Sequence, residues 1–351
     1  MRSTFSGAII AALAACVAAS PALKLTVTGP SSVTDVENLS VKATLTNTGS
    51  ETLKLINDPR TVLSTWRTNA FSIQGEAGSP AFTGIKVKYS PELAAKRTDA
   101  AAFTVLAPGQ SFELTHELAG VYNFTTSGAG NYKFTAANLF QHVGADGQLN
   151  TITADTQSHT LAVSGKLASS KGRPVHRRGL QRRAISYNGC SSTQQSQIST
   201  AASSSNTYVA NTISYLNTIS SGTARWTTWF GTYSSSHLST IKSHYANIGT
   251  DATNTKYDCT CTETDTYAYT YPDQPGNVYL CGAFWSAPNT GTDSRAGTIV
   301  HEQSHFTNNA ATQDYAYGQS AAKSLAKSNP NEAIENADSH EYFAENSPAQ
   351  S

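Results

Sequence analysis

The feature that most constrains this 351-residue chain is an interruption. Residues 166–183 are a Ser/Gly/Pro-containing stretch with the dibasic pairs Arg177-Arg178 and Arg182-Arg183 and almost nothing apolar. Such a segment cannot bury enough surface to offset the entropy of ordering it. The chain therefore folds as two units, one on either side, and its length allows two ordinary domains. The charges divide at the same place. Residues 1–183 hold 18 Lys+Arg and 11 Asp+Glu, net +7, while residues 184–351 hold 6 and 13, net −7. A basic half facing an acidic half suggests two parts held together electrostatically, as an inhibitory prosegment would be. The bland reading of residues 166–183 is a solvated linker; the sharper one is a processing site at Arg182 and Arg183.

The N-terminus favours the sharper reading. One Arg, the apolar run Ala8 to Val17 and the small residues Ala18, Ala19 and Ser20 have the layout of a secretory signal peptide over residues 1–19. The alternative, a membrane anchor, needs about 20 apolar residues, and this run is well short of that. A secreted, extracellular protein with no membrane partner is expected. Net charge alone says nothing about partners; no nucleic acid is expected, and nothing suggests more than a monomer. Of the five cysteines, Cys16 leaves with the signal peptide. The remaining Cys190, Cys259, Cys261 and Cys281 read as two disulfides with three possible connectivities. Cys259 and Cys261, two apart, are expected to take different partners.

From residue 20 to 165 the sequence gives short alternating segments such as Leu25-Val27, Leu39-Ser40-Val41-Lys42-Ala43-Thr44-Leu45 and Tyr132-Lys133-Phe134, separated by turn signals. This pattern predicts an all-β sandwich of immunoglobulin-like topology, without a cysteine staple. Asn38 and Asn123 head glycosylation sequons. From Ala184 the character becomes mainly helical. Ile198, Ala202, Val209, Ile213 and Leu216 mark one apolar stripe and Leu238, Ile241 and Tyr245 another. The alternating Tyr267, Tyr269 and Tyr271, a Pro-Asp-Gln-Pro-Gly turn, then Val278 and Leu280 predict a β-hairpin. Residues 184–351 are thus expected to form an α+β domain with a small antiparallel sheet, and Asn329-Pro330-Asn331-Glu332 marks a late helix start.

Within that domain stands His301-Glu302-Gln303-Ser304-His305. Histidines four apart on a helix lie on one face and can chelate one ion, with Glu302 beside them to take a proton from a zinc-activated water and pass it to the leaving amine. Such a pentad arises by chance in about one chain of this length in a hundred. The apolar Gly297-Thr298-Ile299-Val300 before it supplies a face that seats the helix in a core. A catalytic zinc needs a third protein ligand. Asp314, nine residues after His305 and beyond a turn at Asn308-Asn309, is the nearest downstream acid.

These residues resemble those of the deuterolysin-like aspzincins, which combine His-Glu-x-x-His with Gly-Thr-x-Asp-x-x-Tyr-Gly. The chain carries Thr312, Asp314, Tyr317 and Gly318 of the second motif, with Ala311 in place of its first Gly. Ala does not easily take a positive φ, so a slightly different loop is expected. Within the family the likeness is to the fungal peptidyl-Lys metalloendopeptidases, through Tyr187-Asn188-Gly189-Cys190, Thr227-Thr228-Trp229-Phe230-Gly231, Cys259-Thr260-Cys261, Tyr279-Leu280-Cys281-Gly282-Ala283-Phe284-Trp285 and Asn336-Ala337-Asp338. The resemblance implies a zincin-type metallopeptidase domain holding one zinc (Zn2+) per chain on His301, His305 and Asp314. It also implies catalytic Glu302, Tyr317 as donor to the oxyanion, and disulfides Cys190–Cys259 and Cys261–Cys281.

Asp338, Glu341 and Glu345 share one face of the last helix. Taken alone this is a solvated acidic face. The resemblance places Asp338 and Glu341 in a pocket for the residue after the scissile bond, where paired carboxylates favour a compact ammonium over an Arg fork. The expected activity is a secreted zinc endopeptidase cutting on the amino side of lysine in protein or peptide substrates. The alternatives are a broader, deuterolysin-like zinc protease and a non-enzymatic β-sandwich binding protein. The propeptide, residues 20–165, has no cysteine to plug a metal. Steric cover is left, with Lys or Arg side chains as candidates to reach the acidic pocket. His237, His244 and His340 are expected at surface or capping positions.

Overall fold

The computed structural model describes residues 21–174 and 184–351. The expected signal peptide of residues 1–19 and the expected processing pair Arg182-Arg183 lie outside the described residues.

On the N-terminal side the alternating segments are strands. In Ser40–Asn47 the side chains of Val41, Ala43, Leu45 and Asn47 are buried and those between them are not, the period of two of a strand with one inner face. This strand lies between Leu23–Thr28 and Ser111–Glu117 in a four-stranded sheet that Asp155–Gln157 completes. A second four-stranded sheet runs Ser32–Thr34, His159–Ser164, Gly130–Ala136, Phe71–Gly75. The two share a core that includes Leu25, Leu45, Phe71, Phe134 and Leu161.

One strand leaves this half. Lys86–Tyr89 pairs antiparallel with Thr266–Thr270 and becomes the edge of a sheet of the C-terminal half. All four of its residues are buried. The charged strand of this half thus finds its partner beyond the linker, a pairing the sequence does not announce.

The expected small antiparallel sheet is instead a mixed one. Its order is Ser186–Asn188, Lys256–Asp258, Asn277–Leu280, Thr266–Thr270, Lys86–Tyr89. The first three strands are parallel, and only the hairpin and the added strand are antiparallel. Ser186–Asn188 and Lys256–Asp258 have three residues each, too short to show an alternation. Parallel neighbours also need a long crossover, which here contains the helices Ser192–Leu216 and Ser235–Ile248.

Ser192–Leu216 begins with a capping box, Ser191 with Gln194, and buries Ile198, Ala202, Val209 and Leu216. Against it packs the central helix Arg295–His305, every residue of which from Ala296 onward is buried. The last helix, Ala337–Glu345, covers another side, and approaches closely because residue 297 is Gly: a Cβ there would lie 2.1 Å from Glu345 Oε1. The disulfides join Cys190 to Cys259 and Cys261 to Cys281.

Candidate active site

The central helix starts at Ser294, whose hydroxyl accepts the Gly297 N–H, and stops at His305, because Phe306 turns to extended backbone. His301 and His305 project from one face with ring centroids 4.8 Å apart. The chain then doubles back. Ala311 N–H donates to Phe306 O and Thr312 N–H to Ser304 O, which returns Asp314 to the histidines. Ala311 takes φ 52 here, against the expectation that Ala in place of Gly would resist it. The strain of roughly 1–2 kcal/mol is held by those hydrogen bonds and by the contact between the Ser304 and Thr312 hydroxyls at 2.6 Å.

Asp314 Oδ1 lies 3.3 Å from His301 Nε2 and 3.2 Å from His305 Nε2. None of these three buried atoms has a hydrogen-bond partner among the described residues. His305 is oriented through Nδ1, 2.9 Å from Thr312 O. His301 Nδ1 lies 2.8 Å from Asp338 Oδ1, as a close contact rather than an aligned hydrogen bond. Three unpaired donor atoms within 4.8 Å of one another, two imidazole nitrogens and a carboxylate oxygen, fit one metal ion and suit zinc. Glu302 is fully buried beside them, both oxygens unpaired, and burial pushes its carboxyl up to about 8.

His301, Asp338 and Glu341 form a second cluster of possible ligand atoms. An ammonium sits in it: Lys88 Nζ lies 2.5 Å from Glu341 Oε2 and 3.7 Å from Asp338 Oδ1. A third carboxylate, Asp293 Oδ1, stands 3.7 Å away. Burial disfavours the Lys88 charge, but Asp338, Glu341 and Asp293 outweigh it and hold its pKa well above the ordinary lysine value. The acidic face is thus not solvated. Glu345, on the same helix, turns elsewhere: it accepts the N–H groups of Asp293 and Ser294 and the Ser294 hydroxyl. Tyr317 directs its hydroxyl to Val87 O, and the Arg60 guanidinium lies 4.0 Å from its ring centroid.

A family model described as lysine-specific metallo-endopeptidase, the aspzincins, matches residues 215–345. A peptidyl-Lys metalloendopeptidase of Grifola frondosa is 52% identical over 99% of this chain and 100% of its own length. This chain belongs to the peptidyl-Lys metalloendopeptidase family. Another member, from Armillaria mellea, is 53% identical over 96% of this chain and 95% of that protein. A solved zinc peptidase from Grifola frondosa is 58% identical, covering 46% of this chain and 100% of that one, with a TM-score of 0.46. As a member of this family the protein is a zinc metalloendopeptidase, which removes the alternative of a non-enzymatic binding protein.

Several contacts that shape the site have no signal in the sequence, even where the residues themselves are among those singled out there. Asn336 Oδ1 accepts the N–H groups of Tyr315 and Ala316, and Asp338 Oδ2 that of Gly318, so the last helix fixes the loop bearing Asp314 and Tyr317. Asp293 stands in a loop before the motif helix, at φ 51. His340, expected at the surface, is fully buried; its Nδ1 lies 2.9 Å from Asn336 O and its Nε2 3.0 Å from His244 Nδ1. The helix that carries it is buried on all sides, so its polar spacing gives no surface.

Proposed function

We propose that residues 184–351 hydrolyse peptide bonds on the amino side of lysine, with one zinc per chain held by His301, His305 and Asp314. The observation that carries this reading is the convergence of their three unpaired buried atoms beside an unpaired Glu302. Bound zinc supplies Lewis acidity, making water nucleophilic at neutral pH and polarising the carbonyl. Glu302 takes the proton from the attacking water and returns it to the departing amine, a role its buried, unpaired carboxyl oxygens suit. Tyr317 donates to the carbonyl oxygen as it gains charge, and its hydroxyl already meets a peptide carbonyl, that of Val87.

Asp338 and Glu341 select lysine after the scissile bond. What supports this is that they hold a lysine ammonium in a closed site, where an Arg fork would need more room. The family members of Grifola frondosa and Armillaria mellea are named for the same specificity. Residues 1–19 direct secretion, residues 20–165 serve as propeptide, and cleavage after Arg182-Arg183 releases the enzyme. Two disulfides accord with an oxidising compartment, and no helix among the described residues is long and apolar enough to cross a membrane. Metal analysis tests the metal assignment: the purified protein is expected to hold one zinc, and Asp314→Ala to lose it while remaining folded. Full zinc occupancy in Asp314→Ala would remove Asp314 from the ligand set.

A further inference from the structure

The pocket assigned to substrate lysine is filled by a lysine of the chain itself, and the residue before it lies against the catalytic groups. We propose that the strand Lys86–Tyr89 keeps the enzyme latent as a built-in substrate mimic, presenting the Val87–Lys88 peptide bond with Lys88 in the specificity pocket. This rests on the reading of the pocket given above.

Three observations fix the register independently. The strand extends the catalytic sheet, with Val87 opposite Tyr269 and Lys88 opposite Ala268, so main-chain pairing positions it as strand addition positions a bound peptide. Val87 O accepts the Tyr317 hydroxyl, and Val87 N–H lies 3.2 Å from Asp314 Oδ2. Lys88 Nζ reaches Glu341, Asp338 and Asp293, and its side chain is 3% exposed. An enzyme that cuts before lysine must hold the carbonyl of one residue at its oxyanion donor and the ammonium of the next in its pocket. Val87 and Lys88 are consecutive and meet both conditions.

Contacts on either side anchor the strand. Arg97, beyond it, reaches Asp265 at 2.6 Å, Arg173 reaches Asp273 at 2.5 Å, and Arg60 covers the Tyr317 ring. These pairs set basic residues of the N-terminal half on acids and an aromatic of the C-terminal half. A lysine is almost never fully buried without partners, and the partners here are all in the catalytic half. The mimicry also identifies Asp293 as the third wall of the lysine pocket.

The test uses the intact, zinc-loaded full-length chain as wild type, Lys88→Gln, Lys88→Arg and Lys96→Gln, the last removing an exposed charge of the same region. Each is assayed on a short peptide with one Xaa-Lys bond, with chain integrity checked by mass. Wild type and Lys96→Gln are expected to be latent, and both Lys88 variants at least tenfold more active without any chain cut. Lys88 variants that fold and stay as latent as wild type would overturn the proposal. Should they fail to fold, a synthetic peptide of residues 84–91 replaces them as competitor of the activated enzyme. It is expected to inhibit at least tenfold better than its Lys88→Gln form, and equal inhibition would overturn the proposal. The activated wild type separates the two readings. If it does not cut before lysine, the pocket reading has failed; if it does while the Lys88 variants stay latent, only the mimicry has.

Discussion

Asp338 Oδ1 lies 2.8 Å from His301 Nδ1 and 3.7 Å from Lys88 Nζ, so one carboxylate serves both the imidazole at the metal site and the ammonium in the pocket. In the proposed function, metal binding and lysine selection are therefore joined at this residue. Asp338→Asn is expected to weaken zinc binding about 10–100-fold, as loss of a partner behind a ligating histidine does, and to lower the preference for lysine. Glu341→Gln is expected to lower that preference with zinc affinity within a few-fold of wild type. Chelator competition and product sequencing measure the two effects. Wild-type zinc affinity in Asp338→Asn would show that His301 does not depend on it.

Glu302 touches no hydrogen-bond partner among the described residues, so its replacement leaves the surrounding structure intact. Glu302→Gln is expected to keep zinc and lower kcat by about 10²–10⁴-fold with little change in KM. Retention of more than a tenth of wild-type kcat would exclude it as the base.

Much of this arrangement is legible in the sequence, and what is not has identifiable causes. Helices and hairpin show because Ile198, Ala202, Val209 and Tyr267, Tyr269, Tyr271 repeat at the periods of helix and strand. The pentad stands out because histidines four apart on a helix share a face, and Asp314 stands out through the likeness of its surroundings to the second aspzincin motif. The mixed sheet does not, since three-residue strands have no measurable period. Lys88 does not either: it is one of 18 basic residues in its half, and only the pairing of Lys86–Tyr89 with Thr266–Thr270 distinguishes it. Ala311 is read as resisting positive φ by a local rule that tertiary hydrogen bonds override.

Gly297 looks in the sequence like part of a seating face, but its role is the absence of a side chain. The Cβ of Gly297→Ala would meet Glu345 Oε1 at 2.1 Å, and Glu345 is fixed by Ser294 and Asp293. A loss of roughly 1–3 kcal/mol is expected, read from denaturant midpoints, as for overpacking of a core. A change within about 0.5 kcal/mol would mean that the carboxylate moves away freely.

His244 and His340 give the catalytic half a dependence on acid. Burial lowers His244 to about 4 and His340 to about 3, where an unfolded histidine stands near 6.5. Between those values the unfolded chain binds more protons, so stability is fully present above about 6.5 and falls as pH drops toward 4 and below. His244→Gln is expected to take up about one proton fewer on unfolding at pH 5 in saturating zinc. An unchanged pH slope of stability would show that His244 is already protonated in the folded protein.

The specificity of the cut bears most directly on the whole assignment, because it requires the metal site, Glu302 and the acidic pocket to act together. A denatured protein is digested with the activated enzyme and the new N-termini are identified by mass spectrometry. N-termini that begin overwhelmingly with Lys, and disappear in Glu302→Gln, are the expected result. N-termini spread over apolar residues or shared equally with Arg would contradict it.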